Sequence, residues 1–215
     1  WSSPFDIGRK ITAANVADIL SMGGRCHYLT ASVALTGDET LDWIENLARG
    51  MKAEADKAGA LIAGGDISRG PKVVISMTAL GSSNSPILRS GAQVGDGIFL
   101  SSLSGWSAAG LELLTKEISI NSAEAEKAFS EFSAPTLDYE IDFTRATAMT
   151  DISDSILIQA DQIAEASGVQ LALDQALIAE APEFQEMSKL ADTLQVDVFQ
   201  WILAGGEDHV LLATG

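Results

Sequence analysis

The stretch ATAMTDISDSILIQADQIAEASG, residues 146–168, carries the pattern on which the fold class turns. Ala146 to Ile152 is apolar and short, which predicts a strand. From Asp154 to Ala166 the positions Ile156, Leu157, Ala160, Ile163 and Ala164 recur at helical spacing, and Gly168 closes that helix. Between the two, Asp151-Ile152-Ser153-Asp154 sets two carboxylates three residues apart where a strand ends and a helix begins. Both can reach one cation, Ser153 adds a hydroxyl, and a helix start offers unpaired N–H groups suited to phosphate. The plainer alternative is that Ser153 or Asp154 caps the helix.

The alternation continues outward in both directions. Downstream, Gln170 to Leu173 predicts a strand, Glu183 to Leu194 a helix and Val198 to Leu203 a shorter one. The turn Gly205-Gly206-Glu207-Asp208 leads into a strand from His209 to Thr214. Upstream, Gly97 to Ser101 predicts a strand and Ser107 to Lys116 a helix. Glu117 to Asp142 is acidic and weakly periodic, which predicts a surface excursion or loop. Nearer the start, Ser3-Pro4 opens a helix that runs to Met22. Strands follow at Tyr28–Leu35, Leu61–Ala63 and Lys72–Leu80, with a helix from Glu39 to Ala58. Its apolar face is Leu41, Ile44, Leu47, Ala48, Met51 and Ala55. The turn formers of Gly81–Pro86 (GSSNSP) predict a linker, hence domains at 1–82 and 83–215. The class is α/β (α+β).

Composition narrows the function. The chain has 215 residues, 47% hydrophobic and 20% charged, which suffices for a sizeable core. Thirteen Lys and Arg against 30 Asp and Glu give a net charge of −17, which argues against nucleic acid or an anionic membrane as partner. The single Cys26 permits no internal disulfide and fits a reducing, cytoplasmic setting. No phosphate-binding loop of the GxxxxGK[ST] kind is present, and His27 and His209, the only histidines, are expected at the surface or in a strand.

A few acids are poorly explained as solvated surface. On a helical wheel Asp18 falls within the stripe Ile7, Ile11, Ala14 and Met22, where a carboxylate must be paired, protonated or bound to a cation. Lys10 and Arg25 are the alternative partners. Asp66 follows Gly64-Gly65 at an expected strand end, where glycine lets a ligand approach and a carboxylate faces a crevice. Glu207 repeats that logic in the second half, and Arg89 follows the linker, within reach of a phosphate. A plain turn explains either Gly-Gly-acid group equally well. Acids without a His or Cys cluster suit a hard, oxygen-seeking cation, magnesium or manganese.

Five segments in order resemble the thiamine-monophosphate kinases, of the superfamily of aminoimidazole ribonucleotide and selenophosphate synthetases. They are SPFDIGRKITAANVADILSMG (3–23), GGDISRGP (64–71), RSGAQVGD (89–96), AMTDISDS (148–155) and GGEDHVLL (205–212). The resemblance implies a two-domain architecture with mixed sheets flanked by helices, and an N-terminal domain that pairs in a homodimer. It implies transfer of a phosphoryl group from ATP to thiamine monophosphate. It suggests Asp18, Asp66, Asp151 and Asp154 as Mg2+ ligands, Gly65, Asp66, Arg89 and Ser153 at ATP, and Glu207 at the thiamine phosphate. Catalytic roles would fall to Asp66, Asp151 and Asp154.

Several features depart from the family pattern. An Asp-Thr and a Gly-Val-His-Phe segment usual upstream of Trp1, and a C-terminal part beyond Gly215, are expected to be missing. Ser155 stands for a usual glycine, Ile67-Ser68 for Thr-Thr, and Cys26-His27 where proline is usual. The alternatives are another ATP-using superfamily member, a non-catalytic Mg-nucleotide-binding fragment, and an acidic domain without a site. Trp43, Trp106 and Trp201 are each able to stack on a ring, with core packing the expectation for at least two.

Overall fold

The computed structural model describes residues 1–142 and 145–215. The chain divides into two compact units, Trp1–Pro86 and Ile87–Gly215.

In the first unit, helix α1 spans Pro4–Leu20. Ser3 caps it, its Oγ accepting from the Asp6 N–H at 3.1 Å. Helix α2 spans Leu41–Lys57, and Thr40 Oγ1 accepts from the Trp43 N–H. Both helices were expected; the buried face of α2 was expected only at Leu47, Met51 and Ala55, and that of α1 was not. The buried residues of α1 are Gly8, Thr12, Ala13, Val16, Ala17 and Leu20, while Asp18 and Met22 are exposed. In α2, Leu41 is 80% exposed and Ala48 exposed, and the buried set is Leu47, Gly50, Met51, Glu54 and Ala55. The cause is how closely the two helices cross. A Cβ on Gly8 would lie 2.2 Å from the Leu47 carbonyl oxygen, and one on Gly50 1.9 Å from that of Phe5. Backbone contact of this kind selects small residues for the interface and leaves the larger apolar ones at its margin. Within it, Glu54 is buried and paired with Arg9 at 3.0 Å and Lys57 at 2.9 Å.

A three-stranded sheet of order β2-β1-β3 completes the unit. Strand β1 (Arg25–Leu35) is central, β2 (Leu61–Arg69) runs parallel to it and β3 (Val74–Ser82) antiparallel. Cys26, Leu29, Ala31, Val33 and Leu35 point to the buried side, whereas Tyr28, Thr30 and Ser32 face out. Strand β2 is exposed at every position, including Leu61 at 64% and Ile67 at 63%.

The second unit has an antiparallel sheet of order β4-β6-β5, from Ile98–Leu100, Leu211–Thr214 and Ala148–Asp151. Around it run α3 (Trp106–Thr115), α4 (Ala123–Ser133), α5 (Ile156–Ser167), α6 (Gln175–Ile178), α7 (Phe184–Leu194) and α8 (Val198–Ala204). Trp106 and Trp201 are core residues, packed with Leu113, Ile152, Ile163, Met187 and Leu212. Two expectations fail here. Residues 117–142 contain α4, which buries only Ala125 and Ala128. A Cβ on Gly110 of α3 would lie 2.2 Å from the Ala128 carbonyl oxygen, so this pair too meets backbone to backbone. Gln170–Leu173, expected as a strand, belongs to no sheet. The mixed α/β class holds.

Candidate functional site at the junction of β5 and α5

Strand β5 ends on Asp151, whose side chain is buried. Beyond β5 and β6 the ladder continues irregularly. Ile152 donates to the Val210 carbonyl at 2.8 Å, His209 to that of Ile152 at 2.9 Å, and Glu207 to that of Ser153 at 2.8 Å. The Gly205–Val210 segment is thereby held alongside Asp151–Asp154. Gly206 permits this, because a Cβ there would meet the Asp154 carbonyl oxygen at 2.1 Å. Glu207 and His209 accept left-handed backbone, with φ of 65° and 53°, a strained state for residues with a Cβ.

Three interactions then fix the side chains. His209 Nδ1 lies 2.9 Å from Asp151 Oδ2, and both residues are buried. Gln159 Nε2 donates to Ser153 Oγ at 3.0 Å from a position that is 1% exposed. Asp208 points inward, accepting from the Gly105 N–H at 2.8 Å and the Ser107 N–H at 2.9 Å at the start of α3. Gly105, the N-cap of α3, offers no side chain, so Asp208 supplies the cap from another segment. Burial pushes the Asp208 carboxyl up to about 6, and the two N–H bonds only partly oppose it.

The cluster thus brings together four expected residues, Asp151, Ser153, Asp154 and Glu207. Neither Ser153 nor Asp154 caps α5; Ser155 does, its Oγ accepting from the Ile158 N–H. His209 is neither superficial nor idle, which corrects the expectation for it. A histidine next to a Gly-Gly-acid turn carries no periodicity to mark it as buried, and Gln159 and Asp208 give no signal beyond helical spacing and a turn. Arg89 lies elsewhere along the unit. It is exposed, and its carbonyl accepts from Ser167 Oγ at the far end of α5, about 18 Å of helix from Ser155.

In the first unit, Gly64-Gly65-Asp66 is no turn at a strand end. The strand runs on through it to Arg69, with Gly65 opposite Ala31 and Asp66 opposite Ser32. The register shifts just before, between Leu29 and Thr30, a bulge of the sort that re-aims side chains near sites. A Cβ on Gly65 would lie 2.0 Å from the Ala31 carbonyl oxygen, so the glycine is required by the pairing itself. Asp66 and Asp18 are both exposed.

Among the described residues no group of three or more His, Cys, Asp or Glu is arranged to hold a metal. What the second unit offers is a smaller set, two carboxylates and a hydroxyl, of which Asp151 and Ser153 are held from behind by His209 and Gln159. All the donors are oxygens, which fits a cation that retains several waters or phosphate oxygens and takes only one or two carboxylates from protein. A cavity of about 710 Å3 in the second unit runs along β4 and residues 169–178, and none of these acids lines it. Its apolar walls do not suit phosphate.

Residues 2–83 match the AIR synthase related protein, N-terminal domain, family, which sets the first unit in that class of α/β domain. The likeness over the whole chain is narrower. Thiamine-monophosphate kinase of Corynebacterium glutamicum is 35% identical over 222 residues, covering 100% of this chain and 66% of that protein. The Aquifex aeolicus kinase is 30% identical over 214 residues, covering 98% of this chain and 69% of that protein. The solved structure of AaThiL complexed with AMPPCP and TMP superposes with a TM-score of 0.85 at 28% identity, over 98% of this chain and 68% of that one. The chain belongs to the thiamine-monophosphate kinase family. It spans about two thirds of the length of the curated relatives it matches, 66% and 64% for the Corynebacterium and Mycobacterium tuberculosis proteins.

Proposed function

We propose that this chain takes part in ATP-dependent phosphorylation of thiamine monophosphate to thiamine diphosphate. The observation that carries the reading is the set Asp151, Ser153, Asp154 and Glu207, drawn together by the backbone bonds of Ile152, Glu207 and His209. In this reading Asp18, Asp66, Asp151 and Asp154 hold Mg2+, and Gly65, Asp66, Arg89 and Ser153 meet ATP. Glu207 faces the thiamine phosphate. Bound Mg2+ would neutralise charge on the phosphates.

The chain's own chemistry supports such a transfer. The acceptor is a phosphate whose second pKa is near 6, so it is mostly ionised at neutral pH and needs no general base. His209 is engaged with Asp151 rather than presented to a nucleophile. The remaining difficulty is electrostatic, since two phosphate charges ~4 Å apart repel by about 4 kcal/mol at an effective dielectric of 20. A surface of net charge −17 worsens this unless the acids hold cations. The N-terminal N–H groups of α5 add a favourable field for phosphate beside Ser153.

The first unit is proposed as the ATP- and metal-binding part that also dimerises. An outward sheet face bearing Tyr28, Leu61, Val74 and Leu80 is the kind of apolar surface a second copy covers. Among the described residues no helix is long and apolar enough to cross a membrane. The buried, unpaired Cys26 fits the cytoplasm.

The test is a coupled ADP-release assay with ATP and thiamine monophosphate, run with Mg2+ and then with excess chelator. Turnover should require both thiamine monophosphate and Mg2+ and vanish on chelation. A rate that survives chelation would refute the assigned role of the aspartates. Calorimetric binding of Mg-ATP without turnover would replace the kinase reading by a nucleotide-binding one.

A further inference from the structure

Asp151, Gln159 and His209 are buried polar side chains around one strand-to-helix junction. Such groups are costly unless bonded, and their bonds here run toward the proposed ligand atoms. We infer that His209 is a positioning residue, holding one oxygen of Asp151 so that the other is presented to a divalent cation. The inference rests on the metal reading of this site.

The geometry has a definite polarity. A carboxylate oxygen only accepts, so at 2.9 Å from Asp151 Oδ2 the proton lies on His209 Nδ1. Among the described residues Asp151 Oδ1 has no hydrogen-bond or ion-pair partner, so one oxygen is anchored and one is open. The ring is placed by the same irregular ladder that places the carboxylate. His209 donates its backbone N–H to the Ile152 carbonyl, and Ile152 donates to that of Val210. Its backbone holds φ at 53°, a conformation that costs a residue with a Cβ and is kept only where surroundings enforce it. A purely space-filling residue would need neither that backbone nor a donor aimed at a carboxylate. A cation taking few protein carboxylates depends on the orientation of each one, and groups hydrogen-bonded behind a ligand supply that orientation.

The experiment uses Mn2+ alone as probe, followed by electron paramagnetic resonance on wild type, His209→Gly and His209→Asn. Glycine and asparagine both adopt a φ near 53°, but only asparagine brings an N–H to the position of Nδ1. His209→Gly should weaken Mn2+ binding about 10–100-fold, and His209→Asn should restore most of that loss. Wild-type affinity in His209→Gly, or equal weakness in both variants with native near-ultraviolet circular dichroism, would overturn the inference. The folding of variants is bypassed by 15N resonances of the wild-type His209 ring, which should shift as Mg2+ is added. Ring signals unmoved at saturating Mg2+ also overturn it. Wild type that binds no Mn2+ removes the metal reading itself and this inference with it. Wild type that binds Mn2+ beside an unimpaired His209→Gly removes only the role of His209.

Discussion

Both units carry two glycines followed by an acid, and the two copies lie in opposite surroundings. In the first, Gly64-Gly65-Asp66 is the middle of an edge strand exposed at every position. Its conformation comes from pairing with β1 alone, and Asp66 projects into solvent. In the second, Gly205-Gly206-Glu207-Asp208 is pressed against Ser153 and Asp154, with Asp208 and His209 buried on its inner side. One short sequence word therefore yields an open carboxylate in one place and an organised cluster in the other. What separates them is the element that follows. After Asp66 the strand keeps its partner, whereas after Gly206 two residues take left-handed backbone and turn their neighbours inward. Hydrogen bonds to buried side chains organise the cluster in the second unit, and among the described residues none holds the Asp66 side chain in the first.

The sharpest way to break this contrast is to remove one acid from each unit. Asp66→Ala and Asp151→Ala should each lower phosphoryl transfer about a thousandfold, the several kcal/mol that a metal ligand set contributes. Their effects on folding should differ. Asp66 is exposed, so its loss should stay within about 0.5 kcal/mol. Asp151→Ala leaves the buried His209 donor without its acceptor, at a cost of about 1–3 kcal/mol. Thermal unfolding beside kinetic assays checks both halves. Equal losses of stability would erase the distinction between the units.

A second difference appears with pH. In the second unit, buried Asp208 titrates up at about 6. A folded pKa above the unfolded value means the native state takes up the proton first as pH falls. Asp208 thus destabilises the fold most above pH 6, and its burden is relieved between about pH 6 and 4. A displacement of about two pH units corresponds to roughly 3 kcal/mol as an order of magnitude. Asp208→Asn, which keeps an oxygen for the Gly105 or Ser107 N–H, should flatten the pH dependence of stability across that window. Parallel pH profiles for variant and wild type in denaturant unfolding would show that burial of this charge is not what distinguishes the second unit.

Legibility in the sequence follows a physical line. Helices α1, α2, α5 and α7 were readable because caps such as Ser3 and enders such as Gly168 act locally. Which face each helix buries was not, wherever two helices touch through backbone. The wheel of α1 weights Ile7, Ile11 and Met22, yet Gly8 and Gly50 decide the crossing, and α4 buries nothing larger than alanine. The burial expected for Asp18 failed for that reason. At the site, Asp151, Ser153, Asp154 and Glu207 were readable from residue type at a strand end or glycine turn. His209, Gln159 and Asp208 were not, since each acts through a contact at least six residues away along the chain. Hydrophobic periodicity carries no record of such contacts.

The smallest expected effect concerns Ser155, and it separates a local role from a ligand role. The family resemblance sets Ser155 at an expected glycine position, which invites the idea that its side chain crowds bound phosphate. Its Oγ instead accepts from the Ile158 N–H and caps α5, which turns the hydroxyl toward its own helix. Ser155→Gly should then cost only a few tenths of a kcal/mol, because glycine is itself tolerated at an N-cap, while Ser155→Ala should cost about 1 kcal/mol. Nucleotide affinity measured by calorimetry should be the same for wild type and Ser155→Gly. A clear gain in affinity on removing the hydroxyl would mean that the serine side chain opposes phosphate, and that the second unit is less completely organised for its ligand than its bonds suggest.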